Sequence, residues 1–226
     1  MELMSHQKIY EYILDRGLKN KNEIYGFEIK REGVRQYFVR DMFGKVSGNE
    51  KTALRYLRKQ DKVLDIGAGA GRISVFLQAR QYDVTALDKS PAVCKILKKR
   101  RVKKIVLKNF FNYSAECKFD AALMINCYSL FGKSKCRIAN ILFRLKKYII
   151  KKNGLAIFAL DSANDCQGRI VSRRFLCGNR RGRWFASWHP RLKELIHIAE
   201  KNGWKTTKYI DSRNFYILIL KNVGHE

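Results

Sequence analysis

The segment Val63–Gly71, V-L-D-I-G-A-G-A-G, constrains this chain more than any other. A short apolar run with an acid near its end passes into glycines at every second position, and a helix-like stretch follows from Arg72 to Arg80. The pattern reads as a strand, a sharp turn and a helix. Glycine lets the backbone turn and approach a ligand with no Cβ in the way, and the helix behind it presents free N–H groups and the positive end of its dipole. Such a turn suits a nucleoside-bearing ligand with a carboxylate or phosphate. The spacing separates two kinds of ligand. A dinucleotide fingerprint requires G-x-G-x-x-G; Gly67 and Gly69 match it, but Arg72 stands where the third glycine belongs, and that glycine comes one residue early, at Gly71. Asp65 would face a diphosphate unfavourably and suits a ligand with an ammonium group.

Near-continuous apolar runs separated by amphipathic ones extend the pattern. Strands are expected at Lys62–Ile66, Tyr82–Leu87, Lys104–Leu107, Phe119–Ile125 and Leu155–Leu160, with helices over Arg72–Arg80, from Pro91 to about Arg101, and near Lys135–Ile150. Strands of this composition, alternating with helices, predict a parallel sheet buried on both faces. Asp88 ends the second strand, where one carboxylate can accept from both vicinal hydroxyls of a ribose; the competing role is a helix N-cap, since Pro91 lies just beyond. The C-terminal end breaks the rhythm. A helix starts at Pro190 and stops at Gly203, and the strand candidates Trp204–Ile210 and Phe215–Leu220 are close enough in sequence to pair only as an antiparallel hairpin. Before the glycine motif, helices are expected over Ser5–Arg16, with Ile9, Ile13 and either Tyr10 or Tyr12 on one face, over Glu32–Phe43 and over Asn49–Arg58.

D-x-G-x-G-x-G after a strand, with an acid closing the next strand, resembles the class I S-adenosylmethionine-dependent methyltransferases. The resemblance runs from about Asn49 to Lys221. It implies a Rossmann-like, doubly wound α/β fold: a mostly parallel seven-stranded sheet with a C-terminal antiparallel hairpin. An N-terminal helical cap would occupy residues 1–48 and the methyltransferase domain residues 49–226, with an insertion at about 163–188 over the active site. The implied cofactor is S-adenosyl-L-methionine, with Asp65, Gly67, Ala68, Gly69 and Gly71 around its methionine part and Asp88 on the ribose beside Lys89. Asn109 takes the position that is usually acidic and binds the adenine amino group; Phe110 would pack on the adenine and Asn126 would line the site near the methyl group. The stretches G-V-R-Q-Y-F (Gly33–Phe38) and W-F-A-S-W (Trp184–Trp188) are similar to segments of a group of small bacterial methyltransferases, which implies that Arg35, Tyr37, Trp184 and Trp188 close over the donor or acceptor.

Methyl transfer is an in-line displacement at a carbon already activated by the donor, so a dedicated base is optional. His189, before Pro190, and Tyr128 are the candidates for such a role. Cys127 stands where some cytosine-5 methyltransferases of RNA place a nucleophile, but Asn126 rather than Pro precedes it, and a small buried thiol is expected. The run Asn126-Cys127-Tyr128-Ser129 also lacks the Pro-Pro-aromatic element of the adenine- and amide-N-methylating groups. His6, His197 and His225 have no companions and are expected to be structural or exposed. The six cysteines lack paired C-x-x-C spacing, so no metal site is expected; with neither an export signal nor a membrane-spanning apolar run, they are expected to be reduced thiols in a cytoplasm.

Charge bears on the acceptor. Forty-seven Lys and Arg against twenty Asp and Glu give a net +27, a field that favours polyanionic partners. The acid-free runs Lys89–Lys108 and Ala121–Leu160 include helices that flank the sheet, where they make solvated faces. The insertion is different: Arg169, Arg173, Arg174, Arg180, Arg181 and Arg183, mixed with Phe175, Trp184, Phe185 and Trp188, would suit either a nucleic acid or a lid over an acidic small molecule. The expected activity is methyl transfer to O, N or C of a small-molecule acceptor, with tRNA or rRNA as the alternative and a non-catalytic module less favoured. A nicotinamide oxidoreductase is disfavoured by Arg72.

Overall fold

The computed structural model describes residues 3–20, 22–161, 166–213 and 215–224; His225 lies outside them. In chain order the elements are β1 (Leu3–Met4), α1 (His6–Lys19), β2 (Ile24–Ile29), β3 (Gly33–Phe38), α2 (Arg40–Phe43), α3 (Gly48–Leu54), β4 (Lys62–Ile66), α4 (Arg72–Gln78), β5 (Asp83–Asp88), α5 (Pro91–Lys99), β6 (Lys104–Leu107), β7 (Phe119–Ile125), α6 (Tyr128–Phe131), α7 (Lys135–Arg144), β8 (Ile150–Asp161), β9 (Arg169–Cys177), β10 (Arg180–Gly182), β11 (Phe185–His189), α8 (Leu192–Lys201), β12 (Trp204–Ser212) and β13 (Phe215–Asn222). The expected seven-stranded sheet is present, in the order β12-β13-β8-β7-β4-β5-β6. Its five central strands run parallel, and β13 pairs antiparallel with both β8 and β12.

Strand alternation explains why helices cover both faces. Leu64 and Ile66 of β4 point to one side, where they meet Ile138, Ile141 and Leu142 of α7 and Leu195 of α8. Val63 points to the other and packs with Ala53 and Leu54 of α3 and Ile73 and Leu77 of α4. Ala86 of β5 packs with Val93 and Leu97 of α5 and with Leu14 of α1, so the N-terminal helix is fastened to the sheet domain. Fully burying each such side chain is worth roughly 1.5–3 kcal/mol. Helix α7 ends in a wide π turn over Leu145–Ile149, and β8 starts five residues earlier than the Leu155 expected, with Asn153 at φ 67° inside it.

A second, six-stranded sheet lies outside the doubly wound core, in the order β1-β10-β9-β2-β3 with β11 also on β9. It joins the first forty residues to the insertion: Gly26–Ile29 of β2 pair with Arg173–Leu176 of β9. The cap is therefore one long helix and a β-hairpin. Residues 32–43 are a strand followed by the short α2, where one helix was expected. The spacing of Val34, Tyr37 and Phe38 fits a helical face, but Arg31 at φ 70° and Gly33 at φ 92° close a hairpin turn instead, and the strand pairs with β2 over its whole length. The insertion, expected as a polar segment over the active site, is likewise strand along most of its length.

Candidate functional site

The glycine turn is a set of backbone positions that a side chain would spoil. Gly69, at φ 52°, would place a Cβ 2.7 Å from the Tyr10 hydroxyl, and Gly71, at φ 77° in front of α4, would place one 2.5 Å from Leu97 Cδ2. Gly67 and Ala68 both donate their N–H to the Leu87 carbonyl, which ties the turn to the end of β5. Arg72 then reaches across to α3, where its guanidinium makes a two-pronged pair with the buried Glu50. The residue that breaks the dinucleotide pattern is thus a strut between two helices.

Asp88 stands beside the turn. Its Oδ1 accepts from Ser90 N at 2.9 Å and its Oδ2 from Gly69 N at 3.2 Å, while burial holds its carboxyl above the ordinary range. The cap of α5 is Ser90, whose Oγ accepts from Val93 N at 3.1 Å, so Asp88 is not used as an N-cap. Asp65 is buried behind the turn, where Ser74 Oγ donates to it at 2.6 Å; burial pushes its pKa up to about 6.

A cavity of about 370 Å³ opens over these groups, within the roughly 300–1,000 Å³ typical of small-ligand sites. Gly67, Gly69, Asp88, Lys89, Asn109, Phe110, Asn126 and Tyr128 all line it. Ala68, Asp65 and Gly71 do not; the last two act from behind, through Ser74 and the start of α4. Asn109 accepts from Phe111 N at 3.0 Å and keeps a second lone pair for a ligand amine. Asn126, at φ 53°, donates to Asp161 Oδ2 at 2.7 Å and accepts from Asp161 N at 2.8 Å. This reciprocal pair links the ends of β7 and β8.

Arg35, Tyr37, Trp184 and Trp188 are not brought to the cavity. Tyr37 is 41% exposed and stacks on Tyr25, Arg35 pairs with Glu32 at 3.7 Å, Trp184 lies under Arg174, and Trp188 is buried in the main core. Of the base candidates, Tyr128 lines the cavity but donates its hydroxyl to the Asp161 carbonyl at 2.6 Å, and burial raises its pKa. His189 stacks on Tyr128 with centroids 3.9 Å apart and takes a hydrogen bond from Arg173 on Nε2, which uses the lone pair a base would need. Burial and Arg173 push its pKa down to about 3. The Cys127 thiol donates to the Ile66 carbonyl at 2.9 Å and burial pushes its pKa up, as a small buried thiol requires.

The wall opposite the glycines was foreseen only in part, through Arg173, Phe175 and Phe185 of the insertion; His6, Tyr10, Phe27 and Ser187 were not assigned to it. It is built by His6 and Tyr10 of α1, Phe27 of β2, Arg173 and Phe175 of β9, and Phe185 and Ser187 of β11. His6, expected to be structural or exposed, is one of its members. The aromatic content of 184–188 was the available signal, but strand alternation turns Phe185 and Ser187 inward in place of Trp184.

The family model of a methyltransferase domain matches residues 38–209, well over half of the chain. A search of curated proteins found no match. Among solved structures, a SAM-dependent methyltransferase from Bacteroides fragilis in complex with S-adenosyl-L-homocysteine superposes with a TM-score of 0.80 at 22% identity, covering 97% of each chain. One from Methanosarcina mazei gives 0.65 at 15% identity, over 80% of this chain and 100% of that one. A glycopeptide N-methyltransferase complexed with S-adenosyl-L-homocysteine gives 0.57 at 13%, over 76% and 87%. At these identities the likenesses speak for the fold, and the Bacteroides superposition covers 97% of this chain. With a family match spanning the core sheet and the glycine turn and Asp88 opening on one cavity, the chain belongs to the methyltransferase domain family, as a class I S-adenosylmethionine-dependent enzyme.

Proposed function

We propose that this methyltransferase acts on a small molecule, held in the cavity between the glycine turn and the second sheet. The observation that carries this reading is the second sheet itself. Strands β2, β9 and β11 and helix α1 stand over the carboxyl ends of the parallel strands, and one cavity of about 370 Å³ is lined from both sides. In open α/β sheets ligands bind at those strand ends, so an acceptor has to reach the donor beneath a wall of aromatic side chains. A structured RNA does not fit in such a space without extruding a base, and several insertion arginines are committed elsewhere. Arg174 pairs with Glu28 at 2.6 Å, Arg169 with Glu32 at 3.2 Å, and Arg180 lies 4.6 Å over the Tyr12 ring.

S-adenosylmethionine, when bound, supplies a methyl group activated by its sulfonium. Asp88 is suited to hold the ribose hydroxyls, Asn109 and Phe110 the adenine, and Gly67 and Gly69 the close backbone approach. Tyr10, Phe27 and Phe175 keep water out from the other side. With Tyr128, His189 and Cys127 each tied into hydrogen bonds, the protein contributes alignment and desolvation and leaves proton removal to the acceptor's own acidity.

The test is transfer of a labelled methyl group from S-adenosylmethionine into cell extract split into small-molecule, RNA and peptide pools. Label is expected in the small-molecule pool and is expected to vanish with Asp88→Ala, together with calorimetric binding of S-adenosylhomocysteine. Label in RNA would overturn the reading.

A further inference from the structure

The charges around the cavity are one-sided. Among the described residues Asp88 is the one carboxylate in its lining, and the ribose role occupies it; Lys89, Lys108, Arg137 and Arg173 supply the opposite sign. Three of these cations stand on the donor half or near its rim. Arg173 stands apart, in the middle of β9 on the far wall. Its guanidinium donates to Nε2 of His189, which also lies 3.3 Å from Ser187 Oγ, while its Nε is buried with no hydrogen-bond partner. Among the described residues no ion pair includes Arg173. Burial lowers its pKa, the mark of a cation deprived of water. A charge in that position is expensive unless something pairs with it.

Its neighbours define the rest of the ligand. Phe27 and Phe175 lie with ring centroids 4.4 Å apart, Phe175 stacks on Phe185 at 5.6 Å and 25°, and the Arg173 guanidinium carbon is 5.8 Å from the Phe27 ring. Together they make an apolar wall of the cavity with a planar cation at one end. A guanidinium fork matches a carboxylate in two parallel hydrogen bonds, and a ring beside it packs among aromatics. A donor that is itself a sulfonium adds positive charge to the same space, which an anionic acceptor offsets.

We propose that the acceptor is a planar, largely apolar acid whose carboxylate pairs with Arg173 and whose ring lies among Phe27, Phe175 and Phe185. The inference rests on the small-molecule reading above and names the acceptor's class. The two readings fail separately: label in RNA removes the small acceptor, whereas the binding experiment below judges the carboxylate subsite alone.

The probes are 2-naphthoate and its neutral isostere 2-naphthamide, titrated by ligand-observed NMR into protein saturated with S-adenosylhomocysteine. At neutral pH the acid is ionised. Naphthoate is expected to bind at least about tenfold more tightly than the amide, and Arg173→Met to remove that preference, as loss of a charge-assisted hydrogen bond requires. Affinity for S-adenosylhomocysteine should be unchanged in the variant. Equal binding of acid and amide, no binding of either, or a preference that survives Arg173→Met would each overturn the proposal. So would loss of S-adenosylhomocysteine binding in the variant, which would assign the guanidinium to the donor. Should Arg173→Met fail to fold, the acid–amide comparison in the native protein and in Arg173→Lys, which keeps the charge without the fork, still decides.

Discussion

Asp65 shows what a single buried acid does to both stability and function. Its side chain is sealed behind the glycine turn with Ser74 as partner, and burial raises its pKa from 3.8 to about 6. Between those values the folded protein holds a proton that the unfolded chain has already released, so stability falls as pH rises through that window. Above it the ionised carboxylate carries a penalty of about 2–3 kcal/mol, two pK units converted at about 1.4 kcal/mol each. Asp65→Asn should therefore stabilise the protein by about 1–3 kcal/mol at pH 8 and by progressively less toward pH 4, because the penalty disappears once both states are protonated. Urea unfolding at the two ends of that range measures it, and an equal gain at both would show that ionisation is not the cause. The same variant should bind S-adenosylhomocysteine more weakly, since a charge kept at such a cost fits a ligand with an ammonium group. Asp65, the glycines and Asp88 were legible in the sequence because motif spacing is local. Arg173 and Phe175 were visible only as members of an arginine-aromatic insertion; that both face the cavity follows from strand alternation, which puts residues two apart on one face and Arg174 between them on the other.

At the scale of elements, the core sheet was readable and the covering sheet was not. Each core strand is an apolar run next to its helix, whereas β2 and β9 pair across nearly 150 residues, and no periodicity within either strand announces the other. Strand β3 has almost no buried face, so its sequence carries no alternation to distinguish it from a helix. Helix α1 is the piece that locks the covering sheet to the core. Tyr10 reaches Gly69 and the cavity, Leu14 packs against α5, and Ile9 and Ile13 pack against Phe175. Its close approach to α2 depends on Gly17, where a Cβ would fall 2.2 Å from Val39 Cγ1 and 2.8 Å from Phe43. Gly17→Val should cost about 1–3 kcal/mol by overpacking and, by shifting α1, should weaken donor binding beside Tyr10, about 10 Å further along the helix at about 1.5 Å per residue, without touching the cavity. Thermal melts with and without S-adenosylhomocysteine separate the two effects: a variant that loses stability but keeps the full ligand-induced rise in melting temperature would show that α1 does not transmit to the donor site.

The whole molecule carries a large positive charge, much of it away from the cavity. Of the acid-free stretches, Lys95, Lys98 and Lys99 on α5 are exposed, and they lie on the outside of the sheet rather than at the strand ends. A net +27 on one chain repels itself in the compact state. Surface ion pairs such as Lys19–Asp15 and Lys104–Asp83 work against that repulsion, but exposed pairs contribute only about 0–1 kcal/mol each, and twenty acids cannot balance forty-seven bases. Repulsion therefore wins at low ionic strength. Raising salt from about 10 mM to about 300 mM shortens the screening length from roughly 30 Å to under 10 Å, so the melting temperature should rise across that range, where a protein stabilised chiefly by surface pairs would lose stability. RNA should bind at the low end and be released steeply with salt, as counterion release dictates, without becoming methylated at any point. Methyl label in RNA that persists at high salt would mean that the basic faces guide the substrate; salt-reversible binding without label would make them a property of the surface, and leave the acceptor to the cavity beside Arg173.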